Sequence, residues 1–440
     1  MATAARINIS DAIDNSEIGA FQIGVFILCA LCLILDGFDV QAVGYVGPSL
    51  IKDWQISRAE LGRVAGAGNF GVLIGAVLFT MLADKIGRRP VLIGATLFFS
   101  AVTFLTGYVT SAPQLLGARF VAGIGMGCII PNATALIGEY SPRRKRVTLM
   151  MNVSVAFTAG AAVSGFASTW LIPTFGWRSM FYLGGAAPFV TGLLMAFWLP
   201  ESLQFLAVNR REHEIAKWLK RIDPAVPREP ANGYVVDEQN WTGVPVVHLF
   251  REGRALGTVL LWVINFMNLL NLYFLSNWLA TVFSDAGYSG STALLVPTTL
   301  QVGGTLGTFG LAWLIGRLNF IPVLTTCFAI ACLSIALIGQ PGLTVGLLFV
   351  AVFVAGWCVV GGQPALNTLA ATYYPTALRS TGIGWGLGIG RIGAIVGPVL
   401  AGELLNLKWP ANRLFLAAAV PALIACAVTF SLRWARIRGA

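Results

Sequence analysis

The stretch FQIGVFILCALCLILDGFDVQAVGYV, residues 21–46, is longer than the roughly 20 apolar residues that a helix needs to cross a lipid bilayer. Only two charged side chains, Asp36 and Asp39, interrupt it. In water these carboxylates would need no explanation, but each ionised acid near the centre of a membrane helix costs at least about 2.5–3.5 kcal/mol. The stretch therefore predicts a transmembrane helix in which the two acids have a role that offsets their cost.

The composition extends this prediction to the whole chain. Of its 440 residues, 56% are hydrophobic and 11% are charged, whereas about 25% are charged in soluble domains. Twelve apolar runs are long enough to span a bilayer. They lie at roughly 20–46, 60–83, 90–109, 113–137, 147–172, 177–199, 255–283, 290–316, 321–340, 342–371, 378–402 and 413–435. The sequence predicts an all-α integral membrane protein with twelve transmembrane helices.

The distribution of Lys and Arg predicts the orientation. If both termini lie on one side, that side holds most of the 29 basic residues, including the run Arg143–Arg146. Basic residues concentrate in cytoplasmic loops. We therefore expect a multi-pass protein of the cell inner membrane with both termini in the cytoplasm. The net charge of +10 follows from this topology and requires no nucleic acid.

The runs divide six and six around a polar segment. The predicted parts are a cytoplasmic tail, a six-helix bundle, a cytoplasmic linker, a second six-helix bundle and a short cytoplasmic tail, at 1–19, 20–199, 200–254, 255–435 and 436–440. In the linker, VNRREHEIAKWLKRI predicts an amphipathic helix whose apolar face we expect on the membrane surface rather than on a partner protein. A six-plus-six layout is typical of transporters that rock two halves about a site at the membrane midplane.

Two pairs of segments indicate that the halves are diverged copies. MLADKIGRRPVL (81–92), after the second run, shares its frame with WLIGRLNFIPVL (313–324), after the eighth. GEYSPRRKR (138–146) and ATYYPTALR (371–379) stand at the ends of the fourth and tenth runs. In both pairs the first copy carries more charge, so one copy has kept its charges and the other has lost them.

Several motifs carry a family resemblance. ADKIGRRP (83–90) resembles the loop signature of the major facilitator superfamily, and PESLQFL (200–206) is similar to the end of the sixth span in its sugar-porter members. DGFD (36–39), GEYSPRRKR (138–146) and YYPTALRSTGIGWGLGIGRIGAIVGP (373–398) together look like the aromatic acid/proton symporter family. The resemblance implies proton-coupled import of a small aromatic carboxylate of the benzoate, hydroxybenzoate or protocatechuate type, by alternating access.

The resemblance also implies a cytoplasmic charge cluster that holds the two halves together in one state of the transport cycle. The matching residues are Asp84, Arg88, Arg89, Glu139, Arg143 and Arg379. A plain positive-inside loop is the alternative interpretation of these charges.

Proton coupling is predicted for Asp39, Asp36 and Arg119. The two acids are one helical turn apart, and Arg119 lies a few residues into a run that enters from outside, so acid and base share a depth. In proton-coupled relatives a first-span Asp and a fourth-span Arg have this role, and Asp39 and Arg119 match by motif. A static buried salt bridge is the alternative for Asp39, and a structural role the alternative for Asp36.

Substrate binding is predicted for Arg391, an arginine within the eleventh run with no acid of the second half at its depth. A guanidinium can hold a carboxylate by two parallel hydrogen bonds, although bonds to helix carbonyls are an alternative role. Aromatic and amide residues of neighbouring runs could contact a ring and its hydroxyls. They are Trp278, Asn277, Trp357, Gln363, Asn367 and Trp385.

No catalytic constellation or metal-ligand cluster is found in the sequence, so we expect neither an enzyme, nor a cofactor, nor a metal. The proton gradient would supply the energy, and we expect the protein to function as a monomer. Two alternatives stay open: a proton symporter of another organic anion or a sugar, and a transporter-like receptor that senses aromatic acids.

Overall fold

The computed structural model of the chain describes residues 7–14, 16–222, 234–235 and 246–434. The predicted tail 436–440 lies outside them. In the first half the helices are α1 (Ile9–Asp14), α2 (Ala20–Trp54), α3 (Arg58–Ile86), α4 (Arg88–Thr106), α5 (Ala112–Met126), α6 (Ile129–Glu139), α7 (Arg143–Phe175) and α8 (Arg178–Trp198). The linker contains α9 (Leu203–Val208), α10 (Glu212–Ile222) and a 3-10 helix, Val246–Phe250.

The second half contains α11 (Ala255–Asp285), α12 (Gly290–Leu318), α13 (Phe320–Ile338), α14 (Val345–Val359), α15 (Gly362–Tyr373), α16 (Thr376–Asn406) and α17 (Ala411–Ser431). Two-residue strands β1 (Ile7–Asn8) and β2 (Tyr234–Val235) pair in parallel and join the N-terminal segment to the linker. Each of the twelve predicted runs coincides with one long helix or with two consecutive helices.

Eleven of these helical segments are long and apolar enough to cross a membrane. The eighth predicted run, 290–316, is the 29-residue helix α12, which is not among the eleven. Its sequence is rich in Gly and Thr because it packs closely on α14: a Cβ on Gly303 would lie 2.3 Å from the carbonyl oxygen of Phe353. Small residues that let helix backbones approach are typical of membrane interfaces.

The fourth and tenth runs are each broken at the same relative place. α5 and α6 are separated at residues 127–128, and α14 and α15 at 360–361. At both breaks a glycine touches the second long helix of its own half. A Cβ on Gly127 would lie 2.3 Å from the backbone N of Ala76 in α3, and one on Gly361 would lie 2.8 Å from the carbonyl carbon of Gly307 in α12. The shared break supports an internal repeat.

The two halves contact each other mainly towards one end of the helices. Arg58 and Asp285 form an ion pair of 2.6 Å and Arg63 and Glu403 one of 3.1 Å, both joining the first half to the second. Beside them the backbones of α3 and α16 touch, since a Cβ on Gly62 would lie 2.7 Å from the carbonyl oxygen of Pro398. We call this the closed end.

At the other end of the same helices the contacts are fewer. A Cβ added at Gly384 or Gly388 of α16 would meet no atom within 4 Å. On α3, Leu78 and Met81 are 56% and 61% exposed. We call this the open end; it contains the start of α16 and the segment between α3 and α4.

The amphipathic helix of the linker corrects one prediction. The apolar face of α10 was expected on a membrane surface, but Ile215, Trp218 and Leu219 are buried in the protein. They form a core with residues of α1, α2 and α9, and the ring of Trp218 stacks on Phe21 at 5.8 Å. Burial against the chain's own apolar surface leaves this face no area for lipid.

Candidate functional site

The structure brings Asp39 and Arg119 together. Arg119 of α5 donates from Nη1 to Asp39 Oδ1 at 3.1 Å and from Nη2 to Asp39 Oδ2 at 2.8 Å. Their side chains are 4% and 0% exposed. A two-pronged, charge-assisted pair is among the strongest polar contacts in proteins. Because removing one partner would leave a buried charge uncompensated, this pair fixes α5 against α2.

Asp36, one turn earlier on α2, has a different environment. It is 2% exposed, and its Oδ1 atom has no hydrogen-bond partner among the described residues. Arg391, of the other half, and Asp39 both act on Asp36 electrostatically. Within the described chain, however, Asp36 and Arg391 do not approach closely enough to form an ion pair. Asp36 is therefore a buried acid without an ion-pair partner in the described chain.

Arg391, on α16, is partly buried and donates from Nη1 to the hydroxyl of Tyr273 at 3.2 Å. Tyr273 is a buried residue of α11. Among the residues that the structure describes, this is the one hydrogen bond of the Arg391 side chain. Its remaining N–H groups are free to bind a carboxylate.

Four amides form a network between α11 and α15. Asn268 Nδ2 donates to Gln363 Oε1 at 2.8 Å, and Gln363 Nε2 donates to Asn265 Oδ1 at 3.0 Å and to Asn367 Oδ1 at 3.4 Å. The network lies near Arg391, because the backbone oxygen of Asn265 would be 3.4 Å from a Cβ on Gly390. We call these four residues the amide cluster. It includes two of the predicted substrate contacts, Gln363 and Asn367.

Two of the tryptophans predicted to contact the substrate serve helix packing. Trp278 is 1% exposed and its indole N–H donates to the carbonyl oxygen of Pro398 at 3.0 Å, so it joins α11 to α16 within the second half. Trp357 packs on α12, where its ring would lie 2.1 Å from a Cβ on Gly310. Both rings fill space between helices, which corrects their assignment as substrate contacts in this conformation.

The remaining two predicted contacts lie elsewhere. Trp385 is 46% exposed and stacks on Trp262 with ring centres 5.9 Å apart. Asn277 is buried, donates to the carbonyl oxygen of Tyr273 at 2.8 Å and lines a cavity of about 20 Å³ beside Arg119. Asn277 is therefore closer to the acid–arginine pair of the first half than to the amide cluster.

A second cluster of charges lies at the open end. Arg88 Nη1 is 2.7 Å from Glu139 Oε1, and the backbone N–H groups of Arg88 and Arg89 donate to Glu201 Oε1 at 2.9 Å and 3.0 Å. Tyr140 donates to the backbone oxygen of Glu201 at 2.7 Å. Burial raises the pKa of the Tyr140 phenol well above its usual value, and the nearby Glu139 and Glu201 act in the same direction. The phenol thus stays a neutral donor.

These residues, the open-end cluster, join parts of the first half only. Asp84 is exposed and forms no ion pair in the described part of the chain, and the same holds for Arg379 of the second half. The backbone N–H of Arg143 donates to Asp14 Oδ1 at 3.0 Å, which ties α7 to the N-terminal segment. The structure thus brings Arg88, Arg89 and Glu139 together, and it separates Asp84, Arg143 and Arg379 from them.

Sequence reasoning missed several residues of these clusters. Glu201 belongs to PESLQFL, a motif that had been noted, yet its carboxylate was not assigned. Asn265, Asn268 and Tyr273 belong to the seventh predicted run, where three asparagines in NFMNLLN (265–271) were the available signal. The sequence singles out both Asp36 and Arg391, but an acid opposite Arg391 was sought in the second half only.

All seven cysteines are free. Among the residues that the structure describes, no group of three or more His, Cys, Asp or Glu side chains is placed to hold a metal ion.

The chain matches the Major Facilitator Superfamily over residues 29–345 and 261–439. It is 38% identical over 422 residues to the 4-hydroxybenzoate transporter PcaK of Pseudomonas putida, covering 95% of this chain and 94% of that protein. It is 36% identical to the gallate transporter of Pseudomonas putida (99% and 97% covered), and 34% identical to the benzoate transport protein of Acinetobacter baylyi (97% and 92% covered). These matches bear out the resemblance found in the motifs.

Two solved structures are similar in fold. A bacterial homologue of the human lysosomal transporter Spinster, in an inward-facing and occupied conformation, has a TM-score of 0.74 at 17% identity, with 96% of this chain and 99% of that chain covered. The xylose transporter XylE from E. coli, in a partially occluded inward-open conformation, has a TM-score of 0.74 at 15% identity, with 94% and 98% covered. They confirm the predicted fold. Because all these proteins are transporters, the prediction that the chain is not an enzyme is also confirmed.

Proposed function

The chain belongs to the major facilitator superfamily of membrane transporters, and from this premise we propose that it imports a small aromatic carboxylate together with a proton. The observation that carries the proposal is Arg391: a partly buried arginine whose one side-chain hydrogen bond in the described chain, to Tyr273, leaves donors for a carboxylate. A benzoate or a hydroxybenzoate supplies the planar anion that such a guanidinium binds.

The substrate class is supported by chemistry and by similarity. The relatives named for 4-hydroxybenzoate, gallate and benzoate share the aromatic carboxylate as the common feature of their substrates. In this chain the carboxylate would bind Arg391, and the ring would lie beside α11 and α15, where the amide cluster offers hydrogen-bond partners to ring substituents. The charge of Arg391 would hold the carboxylate end of the substrate, and the amide cluster would discriminate between substituents at the other end of the ring.

Proton coupling follows from competition for Arg391. While Asp36 is ionised, its negative charge attracts Arg391 and repels a second anion near the same guanidinium. A proton on Asp36 removes that repulsion, so the substrate anion binds more tightly when the proton is bound, and by reciprocity the proton is held more tightly when the substrate is bound. This mutual dependence makes a symporter of the two ligands.

Asp39 and Arg119 have a supporting role in this proposal. Both carboxylate oxygens of Asp39 accept hydrogen bonds from Arg119, whereas one oxygen of Asp36 has no partner in the described chain. A proton can therefore be added at Asp36 without breaking an ion pair. We assign the proton to Asp36, and to the Asp39–Arg119 pair the task of holding that turn of α2 in place.

Alternating access would use the two ends described above. The distribution of Lys and Arg supports a cytoplasmic position for the open-end cluster, and with that orientation the open end would face inward and both termini would be cytoplasmic. In the opposite state the ion pairs of the closed end, Arg58–Asp285 and Arg63–Glu403, separate. The unpaired Asp84 and Arg379 are then the residues through which the open-end cluster reaches the second half.

Transport by the purified protein in proteoliposomes tests the proposal. The substrates are benzoate, 4-hydroxybenzoate, cyclohexanecarboxylate and xylose, each measured with and without an acidic exterior. We expect accumulation of the aromatic acids only with the pH gradient, its loss on adding a protonophore, and no uptake of xylose. Uptake of xylose, or accumulation of benzoate to the same level with and without the pH gradient, would overturn the proposal. Binding of the aromatic acids without any transport would indicate a receptor instead.

A further inference from the structure

The first helices of the two halves carry the same polar pattern at the same depth. α2 contains Asp36-Gly-Phe-Asp39, and α11 contains Asn268-Leu-Leu-Asn271. The two helices touch where a Cβ on Gly44 would lie 2.5 Å from the carbonyl oxygen of Ser276. Asp36 precedes Gly44 by eight residues, and Asn268 precedes Ser276 by eight residues. Asn268 is thus the counterpart of Asp36 in the internal repeat.

The hydrogen bonding repeats as well. The second residue of each pattern has its polar partners within its own half. Asp39 is paired with Arg119. With its amide in the orientation that allows hydrogen bonds, Asn271 donates to the carbonyl oxygen of Ala418 at 2.8 Å and accepts from the backbone N–H of Ala422 at 3.1 Å, both in α17. The first residue of each pattern keeps a buried oxygen with no partner in the described chain, Asp36 Oδ1 and Asn268 Oδ1. Asn268 is 2% exposed.

The orientation of the Asn268 amide is fixed by its neighbours. Its Nδ2 donates to the carbonyl oxygen of Val359 at 3.1 Å and to Gln363 Oε1 at 2.8 Å. Exchanging the oxygen and nitrogen would point an acceptor at two acceptors, so the unpartnered atom is the oxygen. Within the amide cluster, the other three oxygens belong to Asn265, Gln363 and Asn367, and each accepts a hydrogen bond. The cluster therefore presents one open acceptor.

We infer that Asn268 Oδ1 accepts a hydrogen bond from a ring hydroxyl of the substrate and selects hydroxylated aromatic acids; this rests on the proposed function. A buried acceptor without a donor costs free energy, which a ligand hydroxyl recovers and a bare ring does not. A carboxylate would be repelled there, because it brings only acceptors.

Asn268 and the Arg391 contact lie at different levels of α11. Arg391 is held by Tyr273, which follows Asn268 by five residues on that helix. At a rise of 1.5 Å per residue the two positions are about 7.5 Å apart along the helix axis. A single ligand that contacts both Arg391 and Asn268 must therefore carry its hydroxyl at the end opposite the carboxylate, at position 4.

Binding to the purified full-length protein tests the inference from the ligand side first. We expect 4-hydroxybenzoate to bind about tenfold or more tightly than both 4-fluorobenzoate and benzoate, since fluorine is small but cannot donate a hydrogen bond. Equal affinity for the hydroxy and fluoro compounds would overturn the inference, and this measurement requires no variant to fold.

The protein side uses a matched pair of variants. Asn268→Ala should reduce the preference for 4-hydroxybenzoate over benzoate by about tenfold while benzoate itself still binds. Asn271→Ala removes the same side chain three residues away and should leave that preference unchanged. An unchanged preference in Asn268→Ala, or an equal loss in both variants, would refute the inference. If neither benzoate nor 4-hydroxybenzoate binds to the parent protein, the proposed function fails instead.

Discussion

The helices that begin the two halves, α2 and α11, differ chiefly in charge. Both carry polar residues three apart at the same depth, and in both the second residue is bonded within its own half. In α2 these residues are acids, and Arg119 compensates one of them. In α11 they are neutral amides, and the nearby charge is Arg391 on α16. The two copies of the repeat thus share the spacing and depth of these polar residues, but α2 carries acids where α11 carries amides.

This difference separates the buried charges that are compensated within one half from those that are not. A buried amide requires only hydrogen bonds, but a buried ion requires an opposite charge or a proton. Asp39 has its opposite charge within the first half. Asp36 and Arg391 lie in different halves and form no ion pair in the described chain. An attraction between them that changes as the halves move would therefore couple binding to movement.

We expect the largest effect from replacing the ion-paired acid of α2, Asp39, with the amide that α11 carries at the matching position. Asp39→Asn leaves the charge of Arg119 buried without its acid, and breaking a buried pair costs about 3–5 kcal/mol. We expect a clear loss of thermal stability in detergent, whereas Asp36→Asn, three residues away, should be nearly as stable as the parent. Equal stability of both variants would contradict the structural role of the pair.

Removing the positive charge of the second half is expected to have the next largest effect. Arg391→Ala should weaken 4-hydroxybenzoate binding by about 100-fold, because charge-assisted hydrogen bonds to the carboxylate are lost. Arg391→Lys should fall between the alanine variant and the parent, since an ammonium cannot form the two-pronged contact. Calorimetric titration measures both. If the alanine variant binds as tightly as the parent, the carboxylate lies elsewhere.

Giving α11 the charge of α2 should have a moderate effect. Asn268→Asp adds an ionised acid to α11, so we expect benzoate binding to weaken about tenfold at about pH 7, because the added charge repels the benzoate carboxylate. Benzoate affinity is measured at this pH, with the parent as control. Affinity that does not differ from the parent would show that position 268 does not face the substrate.

The closed end should show the smallest effect. Arg58→Ala removes an ion pair whose side chains are 34% and 42% exposed, and exposed pairs contribute at most about 1 kcal/mol. We expect a few-fold faster reaction of a cysteine at position 43 with an impermeant maleimide, in a background without the seven native cysteines. Arg413→Ala, an exposed arginine without an ion pair in the described chain, is the matched control. Equal rates in both variants would argue against a gate there.

The sequence predicted the features that depend on local pattern and depth. Apolar runs located the twelve long helical segments, and equal depth suggested the pairing of Asp39 with Arg119, because both follow from distance along single helices. The Trp278 prediction was wrong for this conformation, since an aromatic residue in a membrane helix looks the same whether it contacts a ligand or a neighbouring helix. The burial of α10 was missed because amphipathicity does not identify the covering surface.

Contacts between the two halves could not be predicted from the sequence. The electrostatic link of Asp36 to Arg391 joins helices whose relative register the sequence does not contain. The same holds for the ion pairs Arg58–Asp285 and Arg63–Glu403, whose members are more than 200 residues apart. Glu201 was missed for a related reason: its partners are backbone N–H groups of another segment.

The central claim is that Asp36 carries the proton, and its asparagine variant in proteoliposomes tests this most directly. Asp36→Asn fixes the uncharged state, so the variant should still bind 4-hydroxybenzoate and exchange external for internal substrate at a rate near that of the parent. It should no longer accumulate substrate when the exterior is made acidic, because no proton moves with the anion. Accumulation driven by the pH gradient at the parental level would contradict the account and assign the proton to another group.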